Sequence, residues 1–106
     1  MSNYLYVNYA KVGKVYLSKV GISSNPERRI TQFNLGIKYR TSFKNSPIFK
    51  RFFTAKVVDR EALKGAEREI LRIYKPLLMP FYGREVFNIH PEELSIFVNS
   101  LLGDVS

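Results

Sequence analysis

The chain contains no cysteine and only one histidine, His90. Without thiols it can form neither a disulfide framework nor a zinc site with cysteine ligands, and a single imidazole cannot build a histidine metal site. Any bound metal ion must therefore be held by oxygen ligands, which is the coordination that magnesium prefers.

Long apolar runs are also missing. No stretch approaches the roughly 20 apolar residues of a membrane-spanning helix, and the first residues, MSNYLY, lack the charged and apolar regions of a signal peptide. We therefore expect the cytoplasm as the compartment. Since no linker, repeat or low-complexity run interrupts the 106 residues, we predict a single domain over residues 1–106.

Acidic residues are scarce in the first half of the chain. Residues 1–58 carry eleven Lys or Arg and one acid, Glu27, whereas residues 59–106 have a net charge of −2. This polarity predicts a surface that binds a polyanion, of which nucleic acid is the commonest. A generally soluble basic protein is the plainer alternative.

The N-terminal pattern predicts a β-hairpin. Residues 4–7 alternate with a period of two, and an aromatic and β-branched run resumes at residues 15–17 after a turn around Gly13. We expect the second strand to end at Gly21. Because side chains two positions apart share a face, Tyr4 and Tyr6 should point the same way.

Helix signals follow directly. Residues 25–27, Asn-Pro-Glu, combine a capping side chain, a proline and an acid, so they predict a helix from Pro26 to about Asn34, with Gly36 just past its end. Residues 48–58 are the most strand-like segment of the chain.

The second half predicts two further helices. Asp59 should cap a helix of about sixteen residues, and Pro91 opens a last helix that ends near Leu102. A short strand is expected over residues 84–89. The order β-β-α-β-α-β-α predicts an α+β domain with a central, mostly antiparallel sheet of three to four strands flanked by helices. Apolar residues recur along one face of the longer helix at Leu63, Ala66, Ile70, Ile73, Tyr74 and Leu77.

Bases and aromatic residues are interleaved over residues 37–51, which include Tyr39, Phe43 and Phe49. Such a mixture can neutralise phosphates and stack on exposed bases. An ordinary strand pair with its aromatics inward is the alternative. Our candidate nucleic-acid-binding residues are Lys14, Arg28, Lys38, Arg40, Lys44, Lys50 and Arg51.

Three segments together resemble the GIY-YIG nuclease domain. Tyr4-Leu5-Tyr6, Lys19-Val20-Gly21 and Asn25-Pro26-Glu27-Arg28-Arg29 are similar to its opening, in the phage and bacterial variety with a Lys-Ile-Gly-like second motif. Residues 66–76 resemble the helix that carries its metal-binding glutamate, and residues 83–87 its Gly-x-Glu-x-Phe segment. The resemblance covers roughly residues 3–90.

This resemblance implies a GIY-YIG-like fold and a metal-dependent endonuclease that hydrolyses phosphodiester bonds in DNA, of phage or mobile-element type. It implies that Glu67 binds a single divalent ion, Mg²⁺ or Mn²⁺, that Arg29 contacts the scissile phosphate and that Tyr6 is the general base. Lys19 completes the expected catalytic set. The ordinary pKa of a phenol is about 10, so Tyr6 would need cationic neighbours, Lys14 and Lys19, to lower it.

The resemblance also bears on partners. DNA is the favoured partner, in host cytoplasm if the chain is phage-encoded. A nuclease of this size with no sequence-reading module would cut loosely or act as a homodimer.

Departures from the family pattern keep a second hypothesis open. Tyr4 stands where the first motif usually has glycine, and Lys19 where the second usually has tyrosine, although Tyr16 could supply a phenol. The nearest counterpart of the family's late asparagine is Asn88, with Glu85 a second acid nearby. The alternative is a degraded, non-catalytic domain that binds nucleic acid or regulates a host enzyme through a protein partner.

Individual residues have plainer readings too. Tyr6 could be a core or edge tyrosine, and Glu67 could form a surface ion pair with Lys64. Glu69 is the weaker candidate, because Arg68 and Arg72 surround it and explain it as a solvated charge.

Overall fold

A computed structural model describes residues 3–40 and 47–103, without the side chains of Tyr39 and Arg40. Its order of elements, β-β-α-β-α-β-α, confirms the prediction. The elements are β1 (Asn3–Val12), β2 (Val15–Ser23), α1 (Pro26–Arg40), β3 (Lys50–Val57), α2 (Arg60–Tyr74), β4 (Val86–Phe87) and α3 (Pro91–Gly103), with a short 3-10 helix (Lys75–Leu77) after α2.

The four strands form one sheet in the order β3-β1-β2-β4. Every neighbouring pair is antiparallel, as predicted. In the β1–β2 pair, Tyr6 lies opposite Gly21 and Asn8 opposite Lys19. Since directly opposed residues project from the same face of a sheet, these four residues share one face.

Helices cover both faces of the sheet. On the face that carries Tyr6, α1 packs over a cluster formed by Ala10, Leu17, Ile37, Phe49 and Val86. On the other face, α2 and α3 enclose the larger part of the core. That part includes Leu5, Val7, Val20, Leu63, Ala66, Ile70, Phe87, Ile89, Leu94, Val98 and Leu102.

The predicted starts of the helices are confirmed by their caps. Asn25 Oδ1 accepts a hydrogen bond from the Arg28 N–H at 3.2 Å, at the start of α1. Asp59 Oδ1 accepts from the Glu61 N–H at 2.9 Å, at the start of α2. These side chains satisfy N–H groups that have no partner inside the helix.

Two predicted ends were wrong. Helix α1 continues past Asn34 to Arg40, with Gly36 inside it, because Ile37 is buried one turn after Phe33 and extends the apolar spacing. Strand β2 continues past Gly21 to Ser23, since its ladder with β1 runs on to the pair formed by Tyr4 and Ser23.

Smaller differences concern the other elements. The predicted strand over residues 84–89 is reduced to Val86–Phe87, because pairing with β2 is limited to two positions. Ile73 and Leu77, expected in the apolar stripe of α2, are exposed. Ile73 lies at the margin of the stripe, and Leu77 belongs to the 3-10 helix that follows α2.

For Phe49 the structure agrees with the second of the two interpretations, an aromatic residue that points inward, and not with one available for stacking on bases. Its ring is buried in the cluster under α1, 5.1 Å from the ring of Phe33. Of the other candidates in this stretch, Phe43 and Lys44 lie outside the described residues, as do the side chains of Tyr39 and Arg40. Within the two described ranges, no helix is long and apolar enough to cross a membrane.

Asn34 fastens α1 to the start of β3. Its amide nitrogen donates to the Phe49 carbonyl at 3.0 Å, and its amide oxygen accepts from the Phe49 N–H at 2.8 Å. One side chain therefore satisfies both backbone groups of a buried residue. This link holds α1 over the face of the sheet that carries Tyr6.

We predict that Asn34→Ala lowers the free energy of unfolding by about 1–3 kcal/mol, because it leaves both backbone groups of Phe49 without their partner. Urea denaturation followed by circular dichroism measures the change. Asn99→Ala, at an exposed position of α3, is the matched control and should change stability by less than about 0.5 kcal/mol. Equal effects of the two substitutions would contradict this role of Asn34.

Candidate functional site

A cleft of about 450 Å³ lies between α1 and the face of the sheet that carries Tyr6. It brings together three of the four predicted catalytic residues, Tyr6 from β1, Lys19 from β2 and Arg29 from α1. The pairing of β1 with β2 places the first two on one face, and α1 crosses that face with Arg29 in its first turns. The remaining lining residues are Gln32, Phe33 and Gly36.

Tyr6 is almost fully buried, with 1% of its surface exposed. Burial raises the pKa of its phenol above 10, although a hydrogen bond with the Arg29 side chain and the charge of that guanidinium act to lower it. The charges of Glu85 and Glu67 raise it further. The phenol therefore stays protonated at neutral pH.

Lys14 and Lys19 were expected to lower the pKa of Tyr6. The pKa is raised instead, and the cation that acts on it is a different residue. Lys14 lies exposed in the hairpin turn, at the far end of β1. The cation that acts on the phenol is Arg29, and burial outweighs it.

The ring of Tyr6 leaves no room for a side chain at position 21, which is a glycine. The two residues are paired across the hairpin, and a Cβ atom built on Gly21 would overlap with the Oη and Cζ atoms of Tyr6. The close approach of the ring to the β2 backbone requires a residue without a side chain. A glycine that looked like the end of a strand therefore forms the floor against which the phenol is placed.

Lys19 is held from several sides. Its Nζ atom lies 3.1 Å from Glu85 Oε2 and donates to the Val20 carbonyl at 3.2 Å. The same atom lies 4.9 Å from the centroid of the Phe33 ring. Only 8% of the residue is exposed, so this ion pair and the cation–π contact compensate the loss of water around the ammonium group.

Glu67, the fourth predicted catalytic residue, is half-buried on α2. Burial raises the pKa of its carboxyl group, the charge of Glu85 raises it further, and the charge of Lys19 lowers it. Glu67 does not line the cleft, but its charge reaches Tyr6 and contributes to the raised pKa there. The ion pair with Lys64 is not formed among the residues that the structure describes.

Glu67 and Glu85 are the residues that could hold a divalent ion. They are near enough for the charge of Glu85 to raise the pKa of Glu67, and a cation between them would relieve this repulsion. No group of three or more His, Cys, Asp or Glu side chains occurs over residues 3–40 and 47–103. Mg²⁺ is commonly bound by one or two carboxylates together with water and substrate phosphates, and Glu67 and Glu85 would be the residues that hold it, with Glu85 already in contact with Lys19.

The residues considered as alternatives for the catalytic roles, Glu69, Tyr16 and Asn88, do not line the cleft. Glu69 pairs with Arg72 at 2.7 Å on the surface of α2, as its plainer reading predicted. Tyr16 packs against the ring of His90 at a centroid distance of 4.3 Å and does not line the cleft. The side chain of Asn88 is exposed, while its backbone N–H donates to the Leu77 carbonyl.

The predicted nucleic-acid-binding residues are spread over the surface. Arg28 and Lys38 are exposed on α1, Lys50 and Arg51 are exposed on β3, and Arg51 pairs with Glu27. Arg29 also lines a second groove, of about 670 Å³, together with Asn3, Ile22, Ser23, Ser24, Val58 and Arg60. Arg29 thus stands between the cleft and an open groove that contains a further arginine.

Sequence reasoning missed two features of the site. Asn8 lies opposite Lys19 with 1% exposure, and its Nδ2 atom has no hydrogen-bond partner within the described part of the chain. The period of two through Tyr4 and Tyr6 could have indicated that Asn8 shares their face. The bond between Lys19 and Glu85 joins residues 66 positions apart, and no local signal indicates it.

A family model described as the T5orf172 domain matches residues 3–102. Searches of curated proteins and of solved structures give no match.

We predict that Gly21→Ala destabilises the protein by about 1–3 kcal/mol, because the added methyl group displaces the buried ring of Tyr6. The control is Gly65→Ala in α2, where an added Cβ meets nothing within 4 Å. That change should be neutral or stabilise the helix by up to about 1 kcal/mol. Thermal unfolding of both variants measures the difference, and equal stability of the two would contradict the close approach.

We predict that Glu67→Gln stabilises the protein increasingly as the pH rises. The folded state disfavours the ionised carboxylate, so the wild type loses stability as the pH increases from about 4.5 through the raised pKa of Glu67. The amide does not titrate. Melting temperatures between pH 4 and pH 8 should therefore converge at low pH and separate at high pH.

Glu69→Gln is the control for that series. Glu69 lies two residues after Glu67 on the same helix, and the substitution alters only its surface ion pair with Arg72. It should not stabilise the protein at high pH. A Glu67→Gln variant that is less stable than wild type at pH 8 would show that the ionised carboxylate is favoured by the fold, contrary to our reading.

Proposed function

The chain belongs to the T5orf172 domain family, a phage-associated group related to nucleases, and from this premise we propose that it is a metal-dependent endonuclease that hydrolyses phosphodiester bonds in DNA. The observation that carries the proposal is the cleft in which Tyr6, Lys19 and Arg29 meet, beside the electrostatically coupled carboxylates of Glu67 and Glu85. We further propose that it acts in the cytoplasm of a host cell.

Arg29 is the proposed ligand of the scissile phosphate. It lies in the first turns of α1, where backbone dipoles favour an anion, and it lines both the cleft and the neighbouring groove. A DNA strand that follows the groove would therefore bring a phosphate to its guanidinium group. Charge that develops on the phosphoryl oxygens would be stabilised there.

Tyr6 is the proposed orienting group for Arg29 and for the attacking water. The Arg29 side chain is near enough to the phenol to act on its pKa, and both residues line the cleft. Because its pKa is raised, the phenol by itself is a poor proton acceptor at neutral pH. Its role as general base thus depends on additional positive charge beside it.

Glu67, supported by Glu85, is the proposed holder of the divalent ion. An ion there would supply positive charge that stabilises the phosphate, offsets the repulsion between the two carboxylates and favours ionisation of neighbouring groups. Lys19 keeps Glu85 in place through their 3.1 Å contact. The same ammonium group adds a fixed positive charge to the floor of the cleft.

A second candidate is a domain that binds nucleic acid without cutting it. The raised pKa of Tyr6, and a lysine engaged by Glu85 where the resembled motif has a tyrosine, both favour it. This candidate uses the same basic surface. It differs from the first only in that no divalent ion promotes cleavage.

We predict that the purified protein nicks supercoiled DNA with Mg²⁺ or Mn²⁺ and not with chelator. Glu67→Gln should reduce the rate by about 10²-fold or more with DNA binding retained, because it removes the charge that holds the ion. Arg29→Ala should reduce it by about 10²–10³-fold, the usual effect of losing one group that stabilises developing charge. Gel assays of cleavage and filter binding of DNA measure the two properties.

The matched controls are Arg68→Ala, at an exposed position of α2, and Glu69→Gln, at a half-exposed one. Both should keep cleavage within about threefold of wild type. Salt-sensitive DNA binding without any product under all metal conditions would overturn the endonuclease and favour the second candidate. Full activity of Glu67→Gln would remove Glu67 from the mechanism.

A further inference from the structure

A second surface of mixed aromatic and basic character lies at the turn end of the β1–β2 hairpin. We name it the hairpin-end patch and define it by Tyr9, Lys11, Tyr16, Lys50 and Phe52. An open concavity of about 730 Å³ adjoins it, lined by residues 9–13, Tyr16, Pro47, Ile48 and Lys50. None of these residues lines the cleft that contains Arg29.

The rings of the patch form a contiguous series. Tyr9 contacts Phe52 edge-on at a centroid distance of 5.7 Å and lies 6.4 Å from Tyr16. Phe52 belongs to the edge strand β3 and is 44% exposed. An exposed phenylalanine that a second ring supports edge-on is partly ordered before a ligand binds, and it presents an apolar face to the solvent.

Positive charge surrounds these rings. The Nζ atom of Lys11 lies 5.5 Å from the centroid of the Tyr16 ring, Lys14 is exposed in the turn and Lys50 lines the concavity. The two hairpin strands contain no carboxylate. In the chain order the nearest acids are Glu27 and Asp59. Glu92 and Glu93 follow His90, whose ring packs against Tyr16.

We propose that the hairpin-end patch binds unpaired nucleotides of the nucleic-acid substrate, a step that rests on the proposed nucleic-acid function. Base stacking on an aromatic side chain requires an accessible base face, which a duplex does not offer, while lysines neutralise the phosphates on either side. Aromatic residues are enriched at protein–protein interfaces as well, but lysine is depleted there, so the three lysines around these rings favour a nucleic acid over a protein partner.

The patch and the cleft lie on opposite faces of the sheet. Tyr9 lies three residues after Tyr6 on β1, about 10 Å along the strand, and since successive side chains alternate it projects from the face opposite to Tyr6. Lys50 and Arg51 continue the basic surface along β3, and Arg51 reaches Glu27 in the first turn of α1. An unpaired strand that passes around the edge strand β3 would contact both surfaces, since Lys50 and Arg51 lie there on opposite faces, so the patch favours substrates with single-stranded segments near the scissile phosphate.

The test is fluorescence anisotropy of a labelled single-stranded oligonucleotide and of the matched duplex, with chelator present so that no cleavage occurs. Phe52→Leu keeps an apolar side chain but removes the aromatic face, and should weaken binding of the single strand about fivefold or more. Binding of the duplex should stay within about twofold. Phe52→Tyr, which restores a ring, should recover the affinity for the single strand.

Phe81→Leu is the control, because Phe81 is a more exposed aromatic residue, 62% exposed, away from the patch. It should bind both oligonucleotides like the wild type. Lys11→Gln, at an exposed position, repeats the test if Phe52→Leu is destabilised, and should weaken single-strand binding and lower its salt dependence. Melting temperatures confirm that each variant is folded.

The outcomes separate this inference from the proposed function. Loss of single-strand binding in the patch variants supports the inference even if the wild type cuts no DNA. Unchanged binding by both Phe52→Leu and Lys11→Gln overturns it even if cleavage depends on Glu67. Equal weakening of single-strand and duplex binding also overturns it, since that would indicate a general electrostatic surface.

Discussion

The register of the first hairpin is the constraint on which the site depends. It sets the ring of Tyr6 against the bare backbone of Gly21 and places Lys19 opposite Asn8. A shift of one residue would move all of these side chains to the opposite face of the sheet. Helix α1, fastened by Asn34 to Phe49, then brings Arg29 over the same face and closes the cleft.

Buried charge is the second organising feature. The ammonium group of Lys19 contacts the carboxylate of Glu85. Glu67 interacts electrostatically with both groups, and its carboxyl group has a raised pKa. Such an arrangement does little for stability, because desolvation offsets the attraction. A site that keeps an unfavourable carboxylate near a basic cleft is the kind of place where function, rather than folding, explains the residues.

Local signals in the sequence were sufficient for most of the fold. The hairpin around Gly13, the caps Asn25 and Asp59 and the order of elements follow from short-range patterns, and all are present. The end of α1 was missed because Gly36 looked like a terminator, while the buried Ile37 one residue later carried the helix on. The two interpretations of Phe49 stayed open because an exposed aromatic residue at a strand edge and a core aromatic residue look alike in sequence.

The sequence by itself determined the local elements, the polarity of charge between its two halves and the residue types of the site, because these depend on neighbours within a few positions. Only the tertiary structure decided that the pKa of Tyr6 is raised, that Arg29 rather than Lys14 is its cationic neighbour and that Glu85 holds Lys19. Each of these results depends on burial and on contacts between distant segments, and both arise only when the chain has folded.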